Sequence, residues 1–364
     1  MTTEGIAKLS DNVLVGFTGK RGPAWWASRG INQTDSQGRA NHFDGPVPVE
    51  VVREQLFNWQ AEKRSLFYGV PASLTDDGVT APTFAEVPGR VAIVRSDNGY
   101  VMGVFKDGYM VHNYGEWLMD SIATILDDDL QIGSAGQLKN GAVGWVSVEV
   151  PENIVTPEGV EFRPNLFGVT SHDGTLATMF KRCVTNIVCD NTLRAAMGES
   201  GQEIKVKHSK YSGFRIASAR EALAVVHSAS DDFAAEVAKL SSIKVNAKTF
   251  GKFLDTFSPV PEGDDASKRA VTMAEARRER LTEMWKSDPR VAPWGGGGRN
   301  TGSAWGVVQL VNTFDQHETS VKRGEMSDAD KAGVRWERSI LSAVDGTLDK
   351  RTDEVAALVT TLAA

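Results

Sequence analysis

The stretch "VEFRPNLFGVTSHDGTLATMFKRC", residues 160–183, decides the fold. Two runs rich in Val, Leu, Phe, Met and Thr flank His172-Asp173-Gly174, residues suited to a turn. Branched and aromatic side chains fit a pleated surface, so the runs read as two strands joined tightly. Upstream, "AVGWVSVEV" (142–150) carries Val143, Trp145, Val146 and Val148 and reads as another strand. "YGEWLMDSIATILDD" (114–128) places Trp117, Ile122, Ile125 and Leu126 on a helical face. "RVAIVRSDNGYVMGVF" (90–105) is a hairpin, because Asn98-Gly99 supplies the positive φ that a two-residue turn needs. Downstream, "NIVCDNTLRAAM" (186–197) reads as a helix. The order strand, strand, helix, strand, strand, strand, helix predicts an α+β fold with an antiparallel sheet.

Residues 1–89 read as an irregular N-terminal segment with one short helix, "VPVEVVREQLFNW" (47–59), started near Pro48. The Pro, Gly and Thr of 70–89 suggest a loop. Residues 90–215 form the expected α+β core, and 216–364 a mainly helical region. Its helices are "SAREALAVVHSASDDFAAEVAKL" (218–240, with Ser218 as N-cap), "NAKTFGKFLDTF", "TMAEARRERLTEMWKS" and "SAWGVVQLVNTFDQHETS" (303–320). The last has Trp305, Val308, Val311 and Phe314 on one side. The glycines at 295–298 read as a flexible break.

The chain has 364 residues and a net charge of −7. No apolar run approaches the ~20 residues that span a bilayer, so no membrane association is expected. The N-terminus lacks a secretion signal, and two cysteines make no disulfide framework, which predicts a cytoplasmic protein. Cys183 and Cys189 are spaced Cys-x5-Cys without a second pair, so neither a zinc site nor a redox Cys-x-x-Cys is expected. They read as small buried hydrophobes. "WGGGGRN" lacks the Lys-Ser/Thr of a phosphate-binding loop, and Asp127-Asp128-Asp129 alone makes a poor two-metal site. With no triad, dinucleotide fingerprint or zinc motif, the expectation is no enzyme, no cofactor and no metal.

The cations are distributed unevenly. Residues 201–300 hold 17 Lys/Arg against 13 Asp/Glu, and the rest hold 23 against 34. Lys181, Arg182 and Arg194 bracket the expected strand-to-helix junction. Lys205, Lys207, Lys210 and Arg215 cluster around Tyr211 and Phe214, and Lys244, Lys248 and Lys252 recur at four-residue spacing. Cations beside aromatics suit single-stranded nucleic acid, charge following the backbone and rings stacking on bases. The same pattern also suits a solvated helical surface over core aromatics.

Three segments carry a resemblance. "CDNTLRAAM" (189–197), "TGSAWGVVQLVNTFDQH" (301–317) and "PAWWASRG" (23–30) resemble motifs of the phage/plasmid-like family called domain of unknown function 932. Trp26 stands where many members carry His. The resemblance implies a phage or prophage origin and a location inside the bacterial host; it implies no activity. The strand and helix order is also similar to the core of phage single-strand annealing proteins, which form rings or filaments around a basic groove. These lines predict a non-enzymatic single-stranded-DNA-binding protein of recombination or replication, a homo-oligomer. Its predicted phosphate contacts are Lys181, Arg182, Arg194, Lys205, Lys207, Lys210 and Arg215, with Tyr211 stacking on bases. The alternative is a phage structural protein or one that contacts a host protein through Trp25, Trp26 and Trp294. A hydrolase using His172, Asp173 or His317 is a third reading.

Overall fold

The computed structural model describes residues 9–24, 27, 33–75, 78–126, 130–150, 153–186, 191–194, 204–206, 230–263, 266–297, 301–321, 328–345 and 347–364. The opening hairpin is present. Strands Glu161–Ser171 and Thr178–Asn186 pair antiparallel from Phe162 opposite Asn186 to Val169 opposite Met179. In chain order they are the tenth and eleventh strands, β10 and β11. Asp173 fastens their turn, accepting hydrogen bonds from the Thr175 hydroxyl (2.5 Å), the Thr175 amide (2.9 Å) and Lys139 Nζ (2.9 Å). Burial opposes ionisation of Asp173, but these bonds outweigh it and hold the carboxyl below its ordinary value. A carboxyl depressed in the fold stabilises above the unfolded pKa of about 3.9, and that stability is lost as pH falls through the lower folded value. Asp173→Asn should therefore destabilise at neutral pH and flatten the acid limb of a stability profile. Acid unfolding followed by tryptophan fluorescence measures both effects.

The main sheet is antiparallel throughout. Its order is β1 (Val13–Val15), β7 (Gln131–Leu138), β8 (Val143–Glu149), β10, β11 and β12 (Asn191–Arg194). β9 (Ile154–Val155) adds to β10, and β13 (Ile204–Val206) adds to β11. A second sheet joins β2 (Ala61–Val70), β5 (Thr83–Arg95) and β6 (Val101–Lys106). β3 (Ser73–Thr75) and β4 (Gly78–Thr80) extend its outer end as a hairpin. A two-strand pair, β14 (Lys244–Val245) and β15 (Gly302–Ser303), ties the helical region together.

Both faces of the main sheet are covered. Val146, Val148, Leu166 and Phe180 pack with Val52 of α1 (Val49–Gln55), with Leu118, Met119 and Ile122 of α2 (Tyr114–Ala123), and with Ile93 and Met102 of the second sheet. α2 begins with a π-helical turn. On the opposite face, Val143, Trp145, Phe167, Val169 and Met179 pack with Leu9, Val13 and Ile340. Ile340 belongs to α7 (Asp328–Asp345). A third core joins α3 (230–242), α4 (Ala247–Phe257), α5 (Lys268–Ser287), α6 (Ala304–His317) and α8 (Thr347–Ala363) to Val160 and Phe162. Asn246 caps α4 by accepting from the Thr249 amide at 2.9 Å, and Ser303 caps α6 by accepting from the Gly306 amide at 3.2 Å.

Several expectations are corrected. Asn191–Arg194 is a strand, not part of a helix, because its backbone pairs with Cys183–Asn186. The expected loop at 70–89 contains β3, β4 and the start of β5. Lys244 lies in β14, so it does not share a helix face with Lys248 and Lys252. Gly295–Gly297 are no flexible break: a Cβ on any of them would lie within 2.2–2.3 Å of Trp285 or Lys286 atoms, so the bare backbone packs on α5. Trp294 is buried and donates from Nε1 to the Glu158 carbonyl (3.1 Å), which removes it as an exposed contact anchor. Trp25, Trp26, Asp127–Asp129, Cys189 and residues 218–229 lie outside the described residues.

Candidate functional site

β11 is the strand on which the predicted cations converge. One edge of it pairs with β10. The other edge pairs with β13 over Thr178–Phe180 and with β12 over Cys183–Asn186. Lys181 and Arg182 fall in the interval between these two short strands. Arg194 stands opposite Cys183, and Lys205 stands opposite Met179. Four of the eight predicted DNA-contacting positions, 181, 182, 194 and 205, therefore occupy neighbouring rungs of one ladder. Alternation along the strands puts positions 179, 181 and 183 on one face, with their opposites 194 and 205, and position 182 on the other. Lys207, Lys210, Tyr211 and Arg215 lie outside the described residues, as do the side chains of Arg182, Arg194 and Lys205.

The face that holds position 181 is not an open basic surface. Lys181 is only 6% exposed. Nearby, Asn165 stands opposite both Glu149 and Cys183. Arg163, one rung pair further along, donates from Nη1 to Glu149 Oε2 at 3.1 Å and from Nη2 to Asn153 Oδ1. Asn153 donates in turn to Glu161 Oε1 at 2.5 Å. Both members of the Arg163–Glu149 pair are buried. The Glu149 carboxylate lies over Gly133 of β7, where a Cβ would sit 1.2 Å from Oε1. A buried ion pair of this kind is costly to desolvate and survives only with further hydrogen bonds, which Asn153 supplies.

β12 packs against α6, α7 and α8, so this part of the sheet meets the C-terminal helices. Two of the three segments that carried the family resemblance, 189–197 and 301–317, thus touch through β12 and α6. Sequence spacing gave no sign of that meeting.

α6 differs from the expected amphipathic helix: every residue from Ala304 to Thr313 is buried. Trp305, Gln309, Asn312 and Gln316 recur at four, three and four residues and form one stripe. Asn312 Oδ1 accepts from the Thr352 hydroxyl at 3.4 Å, and Gln316 Oε1 accepts from Ser339 at 2.8 Å. Among the described residues, neither end of the Gln309 amide, nor Asn312 Nδ2, nor Trp305 Nε1 has a hydrogen-bond partner. Uncharged amides and an indole can hold carbonyl or phosphate oxygens, but they cannot move protons near neutral pH. At the end of the helix, burial pushes the Asp315 carboxyl up, and Arg351 (3.3 Å) and Arg277 offset this only in part.

Of the groups considered for catalysis, His172 and Asp173 lie in the turn between β10 and β11, and His317 ends α6. The His172 ring is buried and stacks on Tyr114 at 4.5 Å, with Trp59 edge-on at 6.0 Å. Among the described residues, no group of three His, Cys, Asp or Glu could hold a metal ion. No described helix is long and apolar enough to cross a membrane.

No curated protein and no solved structure matches the chain. A family model does, over residues 101–340, from β6 through most of α7 and including both meeting segments. That stretch is well over half of the sequence, and the chain belongs to the family described as Domain of unknown function (DUF932).

Proposed function

We propose that the protein is a non-enzymatic binder of single-stranded DNA, of the phage annealing type, serving recombination or replication. The observation that carries this reading is the gathering of positions 181, 182, 194 and 205 around one interval of the β11 edge. That interval lies where the sheet meets α6, α7 and α8. Closely spaced cations suit a phosphate backbone, and a seam between sheet and helices suits a strand whose bases must be kept apart from others.

Each neutralised phosphate releases counterions, so log affinity should fall against log salt with a slope of about −0.7 per contact. Four to seven contacts give a slope of roughly −3 to −5. Fluorescence anisotropy of a labelled oligo-dT at several salt concentrations measures it. Arg194→Ala and Lys205→Ala should each weaken binding and reduce the slope by about 0.7. A flat titration even at low salt removes the reading. The second reading, an interaction protein of the same mobile element, is favoured by the exposed aromatics Phe67, Tyr68 and Phe84 of the second sheet. It fits the flat titration.

A further inference from the structure

α7 lies on the face of the main sheet that carries three of the four gathered positions. Lys181 stands opposite Phe167, so the two share a face, and Met179 lies on it two residues away. Phe167 stacks on Trp145 at 5.1 Å, and the Trp145 ring lies 6.1 Å from that of Trp336 on α7. Ile340, one turn further along α7, packs into the same cluster as Phe167, Met179 and Trp145. α7 also packs against β12, whose position 194 stands opposite Cys183 on this face. Position 205 stands opposite Met179. The face that would take up phosphates is therefore the face that α7 occupies, and Lys181 on it is buried.

α7 is lightly held. Among its described side chains only Ile340 is buried, whereas α6 buries every residue from Ala304 to Thr313. Its seam with the layer beneath also leaves donors unsatisfied. Ser339 donates to Gln316 Oε1 at 2.8 Å, yet Gln316 Nε2 is buried without a partner among the described residues. The same is true of Trp145 Nε1, next to Trp336. A donor buried without a bond costs free energy that contact with water relieves. Closure thus gains little apolar burial and carries a polar penalty. Elements with few buried apolar contacts open locally, without unfolding the whole chain.

We propose that α7 is a lid: it closes the face holding positions 181, 194 and 205, and it lifts while α6 and the sheet stay folded. Its consequence for DNA rests on the reading of these positions as phosphate contacts; the opening itself does not. A strand that needs the open form binds with an apparent dissociation constant equal to the intrinsic one divided by the open fraction. Two measurements on the full chain test the lid, both read by mass spectrometry: amide hydrogen exchange, and acylation of lysines by an N-hydroxysuccinimide ester. The α7 amides should exchange faster than those of α6. Ile340→Ala removes the buried anchor and should raise the acylation rate of Lys181 about tenfold, with α6 exchange unchanged. Ser339→Ala takes away only the bond to Gln316 and should raise it about threefold. Oligo-dT affinity, measured by fluorescence anisotropy, should tighten by similar factors in both variants. If Ile340→Ala also speeds exchange in α6, the whole chain has loosened, and Ser339→Ala decides. Exchange in α7 as slow as in α6, or Lys181 acylation that stays at the wild-type rate in Ser339→Ala, overturns the lid. Faster acylation with unchanged oligo-dT affinity upholds the lid and removes phosphate binding from this face.

Discussion

Arg163→Leu is expected to lower folding stability by about 3–5 kcal/mol, because it takes the guanidinium away from the buried carboxylate of Glu149. The guanidinium is enclosed in β10, bonded to Glu149 on one side and Asn153 on the other. Glu149 cannot swing to water easily: it lies over Gly133 on β7, inside a sheet covered on both faces. The loss is thus dominated by the charge left buried and not by the attraction removed. Replacing both partners separates these terms. Arg163→Met with Glu149→Met fills similar volume with apolar atoms and should fall within about 1–2 kcal/mol of wild type, since buried pairs often exchange for hydrophobic residues at little cost. Urea unfolding of Arg163→Met, Glu149→Met and the double variant closes the cycle. A double variant as unstable as Arg163→Leu refutes this account.

The legible and illegible parts of the fold differ for physical reasons. The 160–183 hairpin, the 90–105 hairpin, the helix after Pro48 and α6 each carry their own signal: branched or aromatic runs around a turn, or an N-cap before a helical pattern. β7 carries none. Its sequence "QIGSAGQL" lacks bulk because its neighbours supply it: Glu149 fills the space over Gly133, and the Trp145 ring lies 2.8 Å from where a Gly136 Cβ would be. The strand at 191–194 is set by pairing with β11, a tertiary demand that local pattern cannot express. The cationic positions on β11, β12 and β13 were chosen for residue type, and only register brought four of them together. The amide stripe of α6 was missed because the pattern was judged on its apolar members; Gln309, Asn312 and Gln316 read as a polar face and stand in or beside the core. β3, β4 and the start of β5 were hidden by Pro71, Pro82 and several Gly and Thr, which read as a loop in isolation.

Gly306→Ala is the sharper test of how the helical region is held. In most helices this exchange stabilises by up to about 1 kcal/mol, because alanine has less backbone freedom to lose. Here a Cβ would lie 2.1 Å from the Trp294 carbonyl oxygen and 2.6 Å from its carbon. Those are backbone atoms, held by the Ser303 amide at 2.9 Å and by a turn bonded from Trp294 N to the Val291 carbonyl at 3.0 Å, so they cannot rotate aside. To admit the methyl, α6 must move away from the 291–297 turn and from Trp285 beneath it. Overpacking of this kind costs about 1–3 kcal/mol, and more where backbone must shift; about 3 kcal/mol is expected. Gly251 is the control. It lies inside α4, where a Cβ meets nothing within 4 Å, and Gly251→Ala should stabilise by about 0.5–1 kcal/mol. The same chemical change in two helices of one core should thus act with opposite sign. The Trp-Gly pair at 305–306 then has a structural reason: tryptophan fills the core, and glycine lets the helix lie directly on the preceding turn. Equal effects of the two substitutions in urea unfolding would show that the turn yields, and that the close approach of α6 does not hold this core.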